Sequence, residues 1–454
     1  MSEIRQRKLR DEGQPASAPV RTRSTRQTTR FQKMFLYLIV TMVLGCYVLS
    51  FLSGQSLLDK VARTLGYKSD HHYAVVIDAG SSGSRVLAYK LRVPFAVFGS
   101  PNLELVDEFF KETKPGLSSF ADDPYKGAET IVNLINDADV IVPKNRRQST
   151  PLIIRATAGL RLLPEDKADA LIESVRNAVA KLGYDSSPGV EIMDGADEGI
   201  YIWYTVNLLF NLLDGETMAA LDLGGGSTQV TFDLDAASVD HYPRHDQHQV
   251  NHGKNITVYT HSYLKLGLNA GRLGVFQLES DDVTSLVSSC VDPIVKNEKW
   301  HYGNKDYSVS GAFRPASLTK EGAFARCYDV VRRYVRATGG ATLAPRGAVA
   351  AMSFYYEVAA DAGIIDIETG GTTTVGQYHS AALVACSAQN VEQPWACVDL
   401  TLIYALLHDL YGMNHSKPVH LIKKIDNHEV SWALGIAYNI VMKKLKETTP
   451  APAA

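Results

Sequence analysis

The sequence has no CxxC pair, which removes zinc ribbons and thioredoxin-type redox motifs from consideration. It has no GxxxxGK followed by Ser or Thr, so a Walker-type nucleotide site is excluded. Basic charge is scarce over most of the chain. The net charge of −3 divides into +6 for residues 1–33 and −9 for the remainder, so the folded part offers no nucleic-acid surface. Cysteine is sparse. Cys46 lies in an apolar run, and the other four, Cys290, Cys327, Cys386 and Cys397, fall in the C-terminal half. Four cysteines allow three pairings. Nearness in sequence gives Cys290–Cys327 and Cys386–Cys397; buried free thiols are the alternative, disfavoured in an oxidising compartment. No histidine or cysteine stands out as a nucleophile.

What is present begins with a division of the chain. Its 454 residues, 45% hydrophobic and 21% charged, suffice for two or three globular units. Residues 1–33 form a Thr/Arg/Gln-rich tail of disordered composition. Residues 34–52, MFLYLIVTMVLGCYVLSFL, carry no charge and are long enough to cross a hydrocarbon core. The basic flank lies N-terminal to this run, which predicts a type II membrane protein with its body outside the cytosol. A cleaved signal peptide is the competing reading, but its charged and apolar regions would both be unusually long. Residues 53–72 read as a polar stem, and the body starts near Tyr73. The sequons at Asn255 and Asn414 agree with a lumenal body.

Two stretches of the body share a plan. AVVIDAGSSGSRVLAYKL, residues 74–91, and AALDLGGGSTQVTF, residues 219–232, each read as strand, tight Gly/Ser turn and strand, with an acid where the first strand ends. The plain reading is a pair of hairpins. The functional one is a pair of loops presenting backbone N–H groups and hydroxyls to one polyphosphate. Asp78 and Asp222 would repel phosphate, and make sense with a divalent cation whose waters they hold. Between the hairpins, LIIRATAGLRLLP, residues 152–164, runs from a strand through Thr157 to a helix start. Arg161 there serves a phosphate, a nearby acid or only the surface. In EIMDGADEGIYIWYTVNLLFNLL, residues 191–213, Asp194, Asp197 and Glu198 crowd a helix start. Capping accounts for Asp194 or Asp197, which leaves Glu198 as a candidate general base.

The blocks DAGSSGSR, ATAGLR, DEGIYIW, DLGGGSTQ and a late SWALG, taken in this order, resemble the apyrase or nucleoside triphosphate diphosphohydrolase family over residues 73–445. The single anchor and four cysteines, with FYYEVAADAGIID at 354–366 and KKIDNHEVSWALG at 423–435, are most similar to its Golgi and endoplasmic-reticulum nucleoside diphosphatases. The resemblance implies an α/β, actin-like (ribonuclease H-like) fold of two lobes around a central cleft, beyond the N-terminal transmembrane helix. Lobe I would take residues 73–200 and lobe II residues 201–430, with 431–454 returning to lobe I and ending in a polar tail. By position, Ser82, Gly83 and Ser84 would form the first phosphate loop, and Gly224, Gly225, Gly226, Ser227 and Thr228 the second. Thr157 would join the phosphate contacts. Asp78, Asp222 and Thr157 would hold Ca2+ or Mg2+, mostly through water. Glu198 would activate water, with Ser227 and Gln229 positioning it. Trp432 and Tyr355 or Tyr356 would lie near the nucleoside. Gly83 stands where several cell-surface members carry histidine, which bears on triphosphate against diphosphate preference.

The activity so implied is metal-dependent hydrolysis of nucleoside diphosphates such as UDP and GDP to the monophosphate and phosphate. It would serve glycosylation in the Golgi or endoplasmic-reticulum lumen. The competing readings are an exopolyphosphatase-like hydrolase, which shares a DLGGGST-type loop, and a lumenal nucleotide-binding module without turnover.

Overall fold

The computed structural model describes residues 24–53, 56–67, 69–95, 103–340 and 344–448. The chain divides into two compact units, residues 1–69 with 94–99, and residues 70–93 with 100–454. In the first unit, helices span Ser24–Ser53 and Ser56–Thr64, the latter within the expected polar stem. Its polar end is tied down by Asp59, whose carboxylate accepts the Phe95 N–H at 2.8 Å. The expected anchor, 34–52, lies inside the first helix. Met34–Leu44 are exposed there, and the side chains of 46–52 fall outside the described residues. Among the described residues, no helix is long and apolar enough to cross a membrane. The helical conformation of the segment therefore stands, while its spanning role does not follow from it. Most of the tail 1–33 lies outside the described residues.

The second unit is α/β and is built on two sheets. The first has the order β3-β2-β1-β4-β5, from β1 (His71–Ala79), β2 (Ser84–Arg92), β3 (Glu104–Thr113), β4 (Leu152–Ala156) and β5 (Val190–Ile192). The second contains β6 (Ala219–Leu223), β7 (Ser227–Asp233), β8 (Gln247–His252) and β9 (Lys254–Leu264). A small sheet follows from β10 (Ser285–Ser288), β11 (Glu298–Tyr302) and β12 (Lys305–Gly311). The chain then completes the second sheet with β13 (Val349–Ser353), β14 (Gly371–Thr374) and β15 (Pro418–Leu421), in the order β14-β15-β13-β6-β7-β9-β8.

The repeat seen in sequence is a repeat of topology. In each sheet an antiparallel hairpin, β1–β2 or β6–β7, has an antiparallel strand on its outer side. A parallel strand, β4 or β13, runs beside the acid-bearing one. β4 and β6, central in their sheets, are apolar but for Arg155 and Asp222, and both are buried at every residue.

Two helices, Gly195–Leu209 and Trp432–Thr448, share one apolar core with residues from both sheets: Ala74, Val76 and Tyr89 from the first, Ala220, Ala350 and Met352 from the second. The expected boundary at 200/201 falls inside the first of these helices. Its N-cap is Asp194, whose carboxylate accepts the Ala196 N–H at 2.8 Å; of the two acids the sequence offered for capping, Asp194 takes the role. Two further cores lie on the outer faces of the two sheets. The outer core of the second sheet contains both disulfides, Cys290–Cys327 and Cys386–Cys397, the pairing expected from sequence nearness. Asn255 and Asn414 are exposed.

Candidate active site

The β1–β2 and β6–β7 turns close in the same way. Gly80 N–H donates to Gly83 C=O at 3.0 Å, and Gly224 N–H donates to Ser227 C=O at 3.0 Å. Asp78 sits opposite Arg85 in its hairpin, and Asp222 opposite Gln229 in the other. None of Gly80, Gly83, Gly224, Gly225 and Gly226 has a left-handed φ. Bare backbone serves close approach instead. A Cβ on Gly225 would lie 2.5 Å from Ser81 Oγ, one on Gly226 2.8 Å from Ala158 Cβ, and one on Gly159 2.8 Å from Ser81 Cα. The two hairpin turns and the turn after β4 thus interlock without room for a methyl group.

They enclose one cavity of about 220 Å³, lined by Gly80–Ser82, Gly224–Ser227, Asp78, Thr157, Glu198, Asp222, Tyr356 and Trp432. Three buried carboxylates face it, and each is held above its ordinary pKa. Burial pushes Glu198 up to about 8; the Arg161 guanidinium opposes this, and the fields of Asp222 and Asp78 add to it. Asp78 rises to about 6, mainly by burial and against the pull of Arg85. Asp222 is raised by burial, opposed by the Ser353 hydroxyl and by Arg85. Arg85 is shared between Asp78, at 3.3 Å, and Glu112, at 2.9 Å. The protein's own cations leave these acids under-compensated, and an added divalent cation would relieve that. Among the described residues no three carboxylates converge tightly enough to ligate one ion together. Among the described residues only Cys327, Cys386 and Cys397 reach that spacing, and all three are in disulfides. A cation held partly through water fits this donor set.

Glu198 is the most closely held of the three. Arg161 Nη2 lies 2.6 Å from its Oε2, and Gln229 Nε2 lies 3.2 Å from the same oxygen. Gln229 Nε2 also lies 2.8 Å from Ser227 Oγ, and Arg161 reaches that hydroxyl at 3.4 Å. Base candidate, serine and two positioning side chains therefore form one linked group.

The other residues expected from sequence divide by position. Thr157 stands at the start of the short helix Ala158–Arg161 without capping it, and its side chain lines the cavity. Ser82 lines it too. Gly83 lies behind the loop, where a Cβ would be 2.7 Å from Glu112 Oε1. Ser84 is fully buried at the start of β2. Thr228 turns away from the cavity; its hydroxyl donates to Asp222 C=O at 2.8 Å and meets the hydroxyls of Tyr355 and Tyr411 at 3.2 and 3.0 Å. Tyr355 is accordingly a fully buried core residue rather than a cleft residue. Sequence reading missed Ser81, Arg85, Glu112, Ser353, Phe354, Glu357 and Lys423, all on the cavity wall. Arg85 had a signal, its place opposite Asp78 in a hairpin; Ser353 and Lys423 had none.

Comparisons with known proteins bear on the family and the fold. The GDA1/CD39 (nucleoside phosphatase) family model matches residues 64–339 and 379–450. The nucleoside-diphosphatase uda-1 of Caenorhabditis elegans is 34% identical over 81% of this chain and 81% of its own length. The nucleoside diphosphate phosphatase ENTPD5 of Homo sapiens is 38% identical, over 81% of this chain and 87% of its own. A crystal structure of nucleoside triphosphate hydrolases from Neospora caninum superposes with a TM-score of 0.60 at 14% identity, covering 88% of this chain and 97% of that one; the likeness is one of fold.

Proposed function

The chain belongs to the GDA1/CD39 (nucleoside phosphatase) family and is a phosphohydrolase of nucleoside diphosphates, and we propose that Glu198 is the base of its reaction. The observation that carries the proposal is the meeting of both Gly/Ser loops and Glu198 on one cavity. The terminal phosphate lies between the loops, whose backbone N–H groups and the hydroxyls of Ser81, Ser82 and Ser227 meet its oxygens. Water attacks phosphorus in line with the bridging oxygen. Glu198 takes the proton, with Arg161 and Gln229 holding its carboxylate and Gln229 also holding Ser227. A raised carboxylate pKa suits a base working near neutral pH, since proton affinity and ionised fraction are then both appreciable. Ca2+ or Mg2+, held mostly through water by Asp78, Asp222 and Thr157, would supply positive charge beside the phosphates.

Trp432 and Tyr356 remain the expected residues nearest the nucleoside. Phe354 and Glu357 line the cavity and also a neighbouring hollow of about 760 Å³ that contains Trp395. This continuity supports seating the nucleoside on Phe354, towards that hollow. UDP and GDP are the proposed substrates, in the Golgi or endoplasmic-reticulum lumen, with residues 34–52 as a type II anchor. The test is phosphate release from UDP, GDP, ADP, ATP and polyphosphate, each with Mg2+, Ca2+ or chelator. Release from UDP and GDP that chelator abolishes is expected. Release from polyphosphate but not UDP would instead favour the exopolyphosphatase-like reading, and nucleotide binding without release a non-catalytic one.

A further inference from the structure

Ser353 is the last residue of β13 and stands immediately before the helix Phe354–Asp361. Three observations set it apart. Its backbone has φ 57° and ψ −129°, a conformation open to glycine and strained for a residue with a Cβ. It occupies the N-cap position, where serine ordinarily accepts a hydrogen bond from the first turn, yet its side chain caps nothing. Its hydroxyl instead donates to Asp222 Oδ1 at 2.6 Å, in the wall of the catalytic cavity. β13 pairs with β6 so that Met352 lies opposite Asp222 and Ser353 opposite Leu223. From that register, an ordinary N-cap geometry would direct the hydroxyl along its own helix. The positive φ occurs at the one residue of β13 whose hydroxyl reaches the acid of the neighbouring strand.

We propose that Ser353 is a positioning residue for the divalent cation: its hydroxyl holds one oxygen of Asp222, so that the carboxylate meets the cation and its waters in a single orientation. The inference rests on the assignment of Asp222 to the cation site. The strained turn and the forgone cap are both maintained for this one bond. Outer partners of ligating carboxylates typically govern affinity about 10–100-fold; Asp222 acts mostly through the cation's waters, so a loss at the lower end, about 10-fold, is expected here.

Glycine and alanine separate the two roles of the residue. S353G removes the hydroxyl and relieves the backbone, whereas S353A removes the hydroxyl and keeps the strain. Binding of Mg2+ and Ca2+ is measured by calorimetry on the nucleotide-free protein, and independently from the rise in melting temperature with cation concentration. Wild type and Asp222→Ala are run alongside. The expected result is cation affinity about 10-fold weaker in both Ser353 variants, with S353G melting above S353A without cation. A serine that acted only through the fold would let cation affinity recover along with stability from S353A to S353G. Wild-type affinity in S353G would overturn the proposal, even if S353A were too unstable to study. If Asp222→Ala binds as wild type does, the cation assignment itself fails, a result distinct from the failure of Ser353 alone.

Discussion

Glu198→Gln should make the protein both more stable and nearly inactive. The ordinary glutamate value is 4.5, and in the folded protein it is about 8. Below pH 4.5 the residue is protonated in folded and unfolded chains alike and contributes no pH-dependent penalty. Between 4.5 and about 8 the unfolded chain ionises while the folded one resists, so stability drains as pH rises. Above about 8 the loss is complete. At pH 7 some 2.5 pK units have been crossed, about 3 kcal/mol at roughly 1.4 kcal/mol per unit. Glutamine resembles the neutral acid in shape and keeps an acceptor for Arg161, so the variant should recover most of this in chelator. Its rate should fall about 10²–10⁴-fold, the usual contribution of a positioned base. Urea unfolding of wild type and variant from pH 5 to 9 in EDTA, beside phosphate release from UDP with cation present, measures both effects. The stability gap should be small at pH 5 and widen towards pH 8. A gap that does not move with pH, or a variant that turns over normally, would refute the placement of Glu198 as a buried, strained base.

Arg161 opposes the rise at Glu198, so Arg161→Met should move the acid limb of kcat/KM to higher pH and lower activity at pH 7 about 10-fold or more; an unmoved limb would count against it. Gly226→Ala meets Ala158 Cβ and should cost about 1–3 kcal/mol by urea unfolding, whereas at Gly224 the nearest atom, Ser227 O, is 3.4 Å away and alanine should cost less. Equal costs at the two sites would remove crowding as the reason for the glycines. Replacing Cys290 and Cys327 by serine opens a 37-residue span and should cost about 4 kcal/mol, against about 3 kcal/mol for the 11-residue span of Cys386–Cys397, by the chain-entropy relation. The order of the two urea midpoints checks this.

What was readable in advance was local. An apolar run, an acid and a Gly/Ser turn occupy contiguous residues, so Asp78, Asp222 and both loops stood out, as did a helix cap at Asp194 or Asp197. The excess acid at the same helix start drew attention to Glu198. What escaped notice depends on pairing between distant segments. Ser353 is 131 residues from the carboxylate it holds and carries no pattern of its own. The adjacent tyrosines illustrate the same limit: a helix turns Tyr355 into the core and leaves Tyr356 on the cavity, and FYYE does not say which. The glycines were noticed for a reason that proved incomplete. Turn geometry needs no left-handed residue here, and the crowding that excludes a side chain comes from Ser81 and Ala158, on other loops.

The two helices shared by the sheets pack so tightly at Gly435 that a Cβ there would stand 2.5 Å from the Tyr201 carbonyl oxygen. Tyr201 is three residues along the same helix from Glu198, just under one turn. Glu198, the proposed proton acceptor, is therefore mounted on the spindle rather than on either leaf. Should the leaves swing apart to admit nucleotide or release phosphate, each loop would travel with its own sheet while the carboxylate stayed near the axis. Trimming the chain's last helix would withdraw half of that bearing, a far greater loss than its place at the end of the sequence implies.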